Sequence, residues 1–210
     1  MNKKAQFFPL KDENPRSRFP FVNFIFIIIN IVVFVFSLAS FEYFIETYGF
    51  KPAQFTFITL FTSMFLHGGI AHIFGNMWFL HIFGDNVEDK FGHFKYVIFY
   101  ILSGIAASLL HLLLNIGSNV PAVGASGAIS GVLGAYVIMF PNVKVHVIGR
   151  FYRSMVSAKF MLGVWFLFQL VSGTFSLFGT QSGIAFFAHI GGFVFGAAFV
   201  FIYKLASKSL

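Results

Sequence analysis

Residues 120–140 read VPAVGASGAISGVLGAYVIMF, and their length against their apolarity decides the fold. The stretch carries no charge and is closed by Pro141. Its uninterrupted part, 124–140, has 17 residues, whereas a helix crossing a bilayer core of about 30 Å needs roughly 20. Such a segment belongs in a membrane but falls short of spanning it. Residues 120–124 are therefore expected to dip into the bilayer as irregular chain. That is tolerated only where protein or a water-filled cavity surrounds the backbone. The reading predicts a hydrated depression with Ser126 at its floor.

The composition of the whole chain agrees. Of 210 residues, 58% are hydrophobic and 10% charged, against about 25% charged in soluble domains, and the mean hydropathy is +0.83. A soluble globule could not cover that much apolar surface, which excludes a soluble enzyme, a disordered regulator and a disulfide scaffold. Cysteine is absent, so thiol catalysis, disulfides and Cys-ligated metal are excluded. The net charge of +7 does not point to nucleic acid, because the basic residues sit where they set topology.

Six uncharged stretches are candidate spans: 21–38, 57–83, 94–114, 124–140, 160–178 and 184–203. The second is long, and its first residues are placed at the interface. The first lacks a small-residue cleavage site and reads as a helix of the bundle, not a leader. The expected fold class is all-α, a polytopic six-helix membrane bundle over 21–204, with a cytoplasmic N-terminal segment 1–20 and tail 205–210. Thirteen of the fourteen basic residues fall on one side of this arrangement, and Lys51 alone falls on the other. By the positive-inside rule both termini are cytoplasmic and the depression opens to the outer face.

Polar groups within spans are costly and therefore informative. Ser126 lies 15 residues before Pro141, and His189 lies 15 before Lys204. At 1.5 Å per residue both sit roughly 22 Å above the inner boundary, some 8 Å below the outer one. His72 precedes Asp85 by 13 residues, which puts it roughly 20 Å up. Three polar side chains on three helices thus share a level. Gly127, Gly131 and Gly134 form a small-residue stripe, as do Ala185, His189, Gly192 and Gly196; such stripes allow close helix approach. His189 lies on its stripe and faces a partner helix.

Ser126 and His189 have the chemistry of a nucleophile and its base. No carboxylate is placed to complete a triad, since Glu42 and Glu46 lie in the first external loop and the other acids are cytoplasmic or N-terminal. The amide of Ser126, at a helix N-terminus, is free to donate to a developing oxyanion. His72 and Asn76, spaced i, i+4, share a face and each offers an N–H. His67 supports the same wall. Read singly, these groups are also compatible with interhelical hydrogen bonding or metal ligation, but no HExxH occurs and a third strong ligand is missing.

The run Thr62-Ser-Met-Phe-Leu-His67-Gly-Gly-Ile-Ala-His72-Ile-Phe-Gly-Asn76 resembles the second-helix motif of the rhomboid intramembrane serine proteases. Gly84-Asp-Asn-Val-Glu88-Asp-Lys-Phe-Gly92 is similar to the cytoplasmic turn that follows it. The run from Gly124 through Ser126 and Gly127 to Tyr136 is similar to their serine helix, and Ala188-His189-Ile-Gly-Gly192-Phe-Val-Phe-Gly196 to their histidine helix. The motifs occur in family order from Thr62 to Gly196. The resemblance implies a six-helix core of bacterial type, with Ser126 as nucleophile and His189 as general base. It implies an oxyanion site from His72, Asn76 and the Ser126 amide, with Gly124, Gly127, Gly192, Gly196 and His67 in support. It further implies cleavage of single-span membrane proteins within or near their transmembrane segment. No metal, cofactor or nucleic-acid partner is expected, and a bare six-helix core without an organelle-targeting extension points to a bacterial-type plasma membrane.

Two features depart from well-known members. The position one turn after the serine, a Tyr in some of them, is Ser130, so another group must support His189. Residues 39–56 contain neither Trp nor Arg, where many members carry that pair. Asp85, Glu88 and Asp89 read as a solvated turn that caps the third helix. Gly173, Gly179 and Gly183 could hinge a cap between the last two helices, with Leu177 and Phe178 plugging the cavity. An inactive rhomboid-like protein that binds membrane helices and a small transporter are the competing readings.

Overall fold

Eight helices and a small sheet make up the described residues, 8–149, 153–177 and 183–207, in a computed structural model of the chain. They run in the order β1 (Phe8–Asp12), α1 (Phe21–Ser37), α2 (Phe41–Tyr48), α3 (Phe57–Thr62), α4 (Ile70–Phe91), α5 (His93–Leu114), α6 (Ser126–Met139), β2 (Lys144–Ile148), β3 (Arg153–Ser157), α7 (Ala158–Ser176) and α8 (Phe186–Ser207). Each of the six apolar stretches contains a helix. The stretch Phe21–Tyr48 and helices α5, α7 and α8 are long and apolar enough to cross a membrane. Helix α6, with 14 residues, is shorter.

The second stretch, 57–83, is not one straight helix. The pieces Phe57–Phe65 and Ile70–Phe91 meet at 88°. The chain leaves the first in an extended conformation at Leu66 and turns at Gly69, whose φ of +153° favours glycine. Helix α4 then runs on to Phe91, so 84–91 is helix and not the turn the sequence suggested. Gly92, at φ +75°, starts α5 directly.

Within α1 the buried residues are Asn23, Phe26, Asn30, Phe34 and Ser37, while Ile25, Ile28, Val32 and Val35 are exposed. The polar residues point inward and the aliphatic ones outward, as expected when the solvent is lipid. Glu88, 1% exposed, accepts from the backbone N–H of Val22 at 3.0 Å and of Asn23 at 2.7 Å. These are first-turn donors that α1 itself leaves without partners. Glu88 is therefore a buried cap on the first helix, not part of a solvated turn capping the third. Asn23 in turn donates to the Leu80 carbonyl and accepts from Tyr96, tying α1 to α4 and α5.

Helix α6 stands at the centre, with every residue from Gly127 to Tyr136 buried. It packs most closely on α8 and α5, and the glycine stripes are the contact. A Cβ at Gly192 would strike the Gly127 carbonyl, and one at Gly196 the Gly131 carbonyl. On the other side Gly127 meets Ala107 and Gly131 meets Ser103.

The all-α expectation holds for the bundle but omitted a three-stranded antiparallel sheet, ordered β1-β2-β3. Its β1 comes from the segment read as a cytoplasmic extension. Val145 and Val147 face inward, Trp78 Nε1 donates to the Pro9 carbonyl, and Asp12 accepts from Asn86 and from the Tyr136 hydroxyl. The sheet thus closes the end of the bundle opposite Ser126.

Candidate active site

Three backbone constraints hold the entry to α6. Phe50 and Ala122 exchange two hydrogen bonds, of 3.0 and 2.8 Å, and Gly124 N donates to the Ser63 carbonyl at 2.9 Å. The irregular segment 120–124 is therefore lodged against protein, which satisfies part of its backbone. Gly124 is needed twice over. Its φ is +128°, and a Cβ there would lie 2.8 Å from the His72 ring.

Ser126 is the first residue of α6, so its N–H has no carbonyl within the helix to bond. Its Oγ lies 2.8 Å from Nε2 of His189. Two helices that glycine allows to touch bring the hydroxyl and the imidazole together, 63 residues apart in the chain. The far ring nitrogen, Nδ1, lies 2.9 Å from Oε1 of Gln169 on α7. Trp165, one turn earlier on α7, places its ring 6.1 Å from that of His189 at 33°.

The remaining polar residues line one wall. Gly68 N donates to His72 Nδ1 at 3.3 Å, which leaves the proton of the neutral ring on Nε2, the nitrogen packed against Gly124. Asn76 Nδ2 donates to the His72 carbonyl at 3.1 Å, and its second amide hydrogen has no part in that bond. Ser126, His189, His72 and Asn76 all line one cleft of about 770 Å³. Phe41, Ile45, Pro121 and Ile184 border it at the end away from the sheet. His67 is fully buried, its ring 5.2 Å from that of His72, and neither ring nitrogen finds a partner among the described residues. A second cavity of about 30 Å³, lined by Ser63, Ser108, His111 and Ser126 among others, is close to the room one water needs.

Such an arrangement can deprotonate the serine, keep the imidazole oriented and offer N–H donors from His72, Asn76 and Ser126 to an oxyanion. Among the described residues no cluster of three His, Cys, Asp or Glu could hold a metal. Glycines 127, 192 and 196 lie in the contact between α6 and α8, and none of them lines the larger cleft.

Gln169 and Trp165 answer the question that Ser130 raised. Ser130 turns its hydroxyl back to the Ser126 carbonyl, at 2.6 Å, and does not hold the histidine. Gln169 was legible as the one carboxamide in the stretch 160–178, a polar group that needs a partner in lipid. Leu177 is 56% exposed and does not line the cleft, so it is no plug in this conformation. Phe178 and Gly179 lie outside the described residues.

A family model for the rhomboid domain matches residues 54–205. The chain is 33% identical over 151 residues to RHOMBOID-like protein 6, mitochondrial, of Arabidopsis thaliana, covering 71% of this chain and 45% of that protein. It is 30% identical over 166 residues to Rhomboid protease AarA of Providencia stuartii, covering 70% and 56%. It is 32% identical over 133 residues to Inactive RHOMBOID-like protein 8 of Arabidopsis thaliana, covering 63% and 34%. The chain thus spans between about a third and somewhat over half of the length of these relatives.

Proposed function

The chain belongs to the rhomboid family, and from that premise we propose that it is an intramembrane serine endopeptidase that cuts single-span membrane proteins within or near their transmembrane segments. The observation that carries the reading is the 2.8 Å contact between Ser126 Oγ and His189 Nε2 inside a cleft large enough for a peptide segment.

In the proposed reaction Ser126 Oγ attacks the scissile carbonyl as His189 Nε2 takes its proton. Charge gathers on the carbonyl oxygen, where the Ser126 amide, His72 Nε2–H and the Asn76 amide are available as donors. His189 returns the proton to the leaving amine. It then takes a proton from a water that attacks the acyl-enzyme and passes it to the departing Ser126 Oγ, which releases the acid product and restores the free serine. A helical substrate has its carbonyls hydrogen-bonded, so it must unwind locally before attack, which favours substrates with a helix-breaking residue near the cut. The basic residues at the sheet end support an orientation with that end in the cytoplasm and the cleft opening outward. A relative named a protease is from the bacterium Providencia stuartii, which supports placing the chain in a bacterial-type plasma membrane.

A relative named inactive gives the competing reading, a helix-binding protein that does not cut. The presence of both Ser126 and His189, within hydrogen-bond reach, favours the enzyme. The test uses purified protein in detergent or liposomes with a single-span substrate and a fluorophosphonate probe. Cleavage and labelling are expected in the parent, and neither in Ser126→Ala. His189→Ala should fold normally and fail to cleave. A folded parent protein that neither cuts nor takes up the probe overturns the reading.

A further inference from the structure

We propose that Gln169 is a positioning residue, a neutral third member that selects the tautomer in which His189 can act as base. The proposal rests on the protease reading above. A histidine that accepts the serine proton at Nε2 must carry its own proton on Nδ1. That Nδ1–H needs an acceptor, and in a membrane interior an unmet donor is costly. Among the described residues no carboxylate is paired with the His189 ring, and its hydrogen-bond partners are Ser126 on Nε2 and Gln169 on Nδ1. The acceptor is therefore the carbonyl oxygen of a side-chain amide.

The aim of Gln169 follows from the packing of α7. Trp165, Gln169 and Gly173 are spaced four apart and share one face, and this face lies on α8. Trp165 lies beside His189 and Phe193, its ring tilted to both at 6.1 and 5.9 Å. Gly173 sits where a Cβ would meet the Cβ of Phe186 at 3.3 Å. Between these two contacts Gln169 is 5% exposed and directed at Nδ1. The opposite amide orientation would present N–H to Nδ1 and force the histidine proton onto Nε2, where it would block proton transfer from Ser126.

The test compares the parent with Gln169→Met, which keeps length and apolar shape but has no strong acceptor, and Gln169→Glu, which keeps an acceptor oxygen. Substrate cleavage, fluorophosphonate labelling rate, thermal unfolding, and 15N spectra of the histidine ring in micelles are measured for each. In Gln169→Met, kcat and labelling should fall about tenfold, the kinetic equivalent of roughly 1.4 kcal/mol and the size of one hydrogen bond. KM should stay within about twofold. Gln169→Glu should recover most of the lost rate. The spectra should show the His189 proton on Nδ1 in the parent and a mixture of tautomers in Gln169→Met. Two outcomes would overturn the proposal: an unchanged tautomer in Gln169→Met, or equal losses in both variants accompanied by equal drops in unfolding temperature, which is the signature of helix glue alone. Should the parent prove inactive, the protease reading fails by itself, and the nitrogen spectra still decide whether Gln169 fixes the tautomer.

Discussion

Replacing Gly192 by Ala adds one methyl group where α6 and α8 touch. The new Cβ would meet the carbonyl oxygen and carbon of Gly127 and the amide nitrogen of Gly131. All three are backbone atoms of a helix, so no flexible side chain can give way. Ordinary van der Waals separation is about 3.5–4.0 Å, so the helices must part by on the order of 1 Å. Overpacking of this kind costs about 1–3 kcal/mol. The same movement acts on the site, because His189 lies one turn from Gly192 and Ser126 adjoins Gly127. Widening the 2.8 Å contact by that amount takes it beyond hydrogen-bond reach. Gly192→Ala should therefore lower thermal stability and suppress fluorophosphonate labelling even at temperatures where the variant is folded. Gly163→Ala is the control, since nothing lies within 4 Å of its Cβ; helix propensity predicts a change between zero and a gain of about 1 kcal/mol. Were Gly192→Ala as stable and as reactive as Gly163→Ala, the claim that glycine contact sets the Ser126–His189 distance would fail.

Three further outcomes are expected. Glu88→Gln removes one of the two carboxylate oxygens that cap α1 and should cost about 1.5–3 kcal/mol; an unchanged unfolding midpoint would show that the cap contributes nothing. Burial pushes the Asp12 carboxyl up to about 6, against the opposing pull of the Tyr136 hydroxyl. Because this folded value lies above the ordinary 3.8, the protonated form favours the fold. The contribution is complete below about pH 3.8 and is lost as pH rises through about 6. Screening of the partly exposed carboxyl limits it to roughly 1 kcal/mol. Relative to Asp12→Asn, the parent should lose stability between those values, and parallel pH curves would refute the assignment. Asn76→Ala should lower kcat by about tenfold with little change in KM, well below the roughly 3–4 kcal/mol seen for a dedicated oxyanion donor, because one of its amide hydrogens is held by the His72 carbonyl. A loss confined to KM would assign it to substrate binding.

Much of this molecule could be read from local pattern. Stretches without charge marked the helices because the cost of a charge in lipid is paid residue by residue. The shortfall of 124–140 marked the irregular chain before Ser126 because helix rise and bilayer thickness are fixed lengths. The glycine stripes marked the contact between the serine and histidine helices because only small residues let two backbones meet. Other features depended on partners remote in sequence. The 88° bend after Phe65 hides inside a run that is apolar throughout. Glu88 reads as a solvated acid until α1 is seen to set two backbone donors against it. The sheet pairs residues 8–12 with 145–148, and nothing in either segment names the other. Gln169 signals that one side of its helix meets a polar partner, but a single amide in an otherwise apolar stretch does not name that partner. Sequence thus determined which segments are apolar helices, that the serine helix is short and which helices can touch. Tertiary structure alone decided which side of α7 meets α8, and with it the group that holds the second nitrogen of His189.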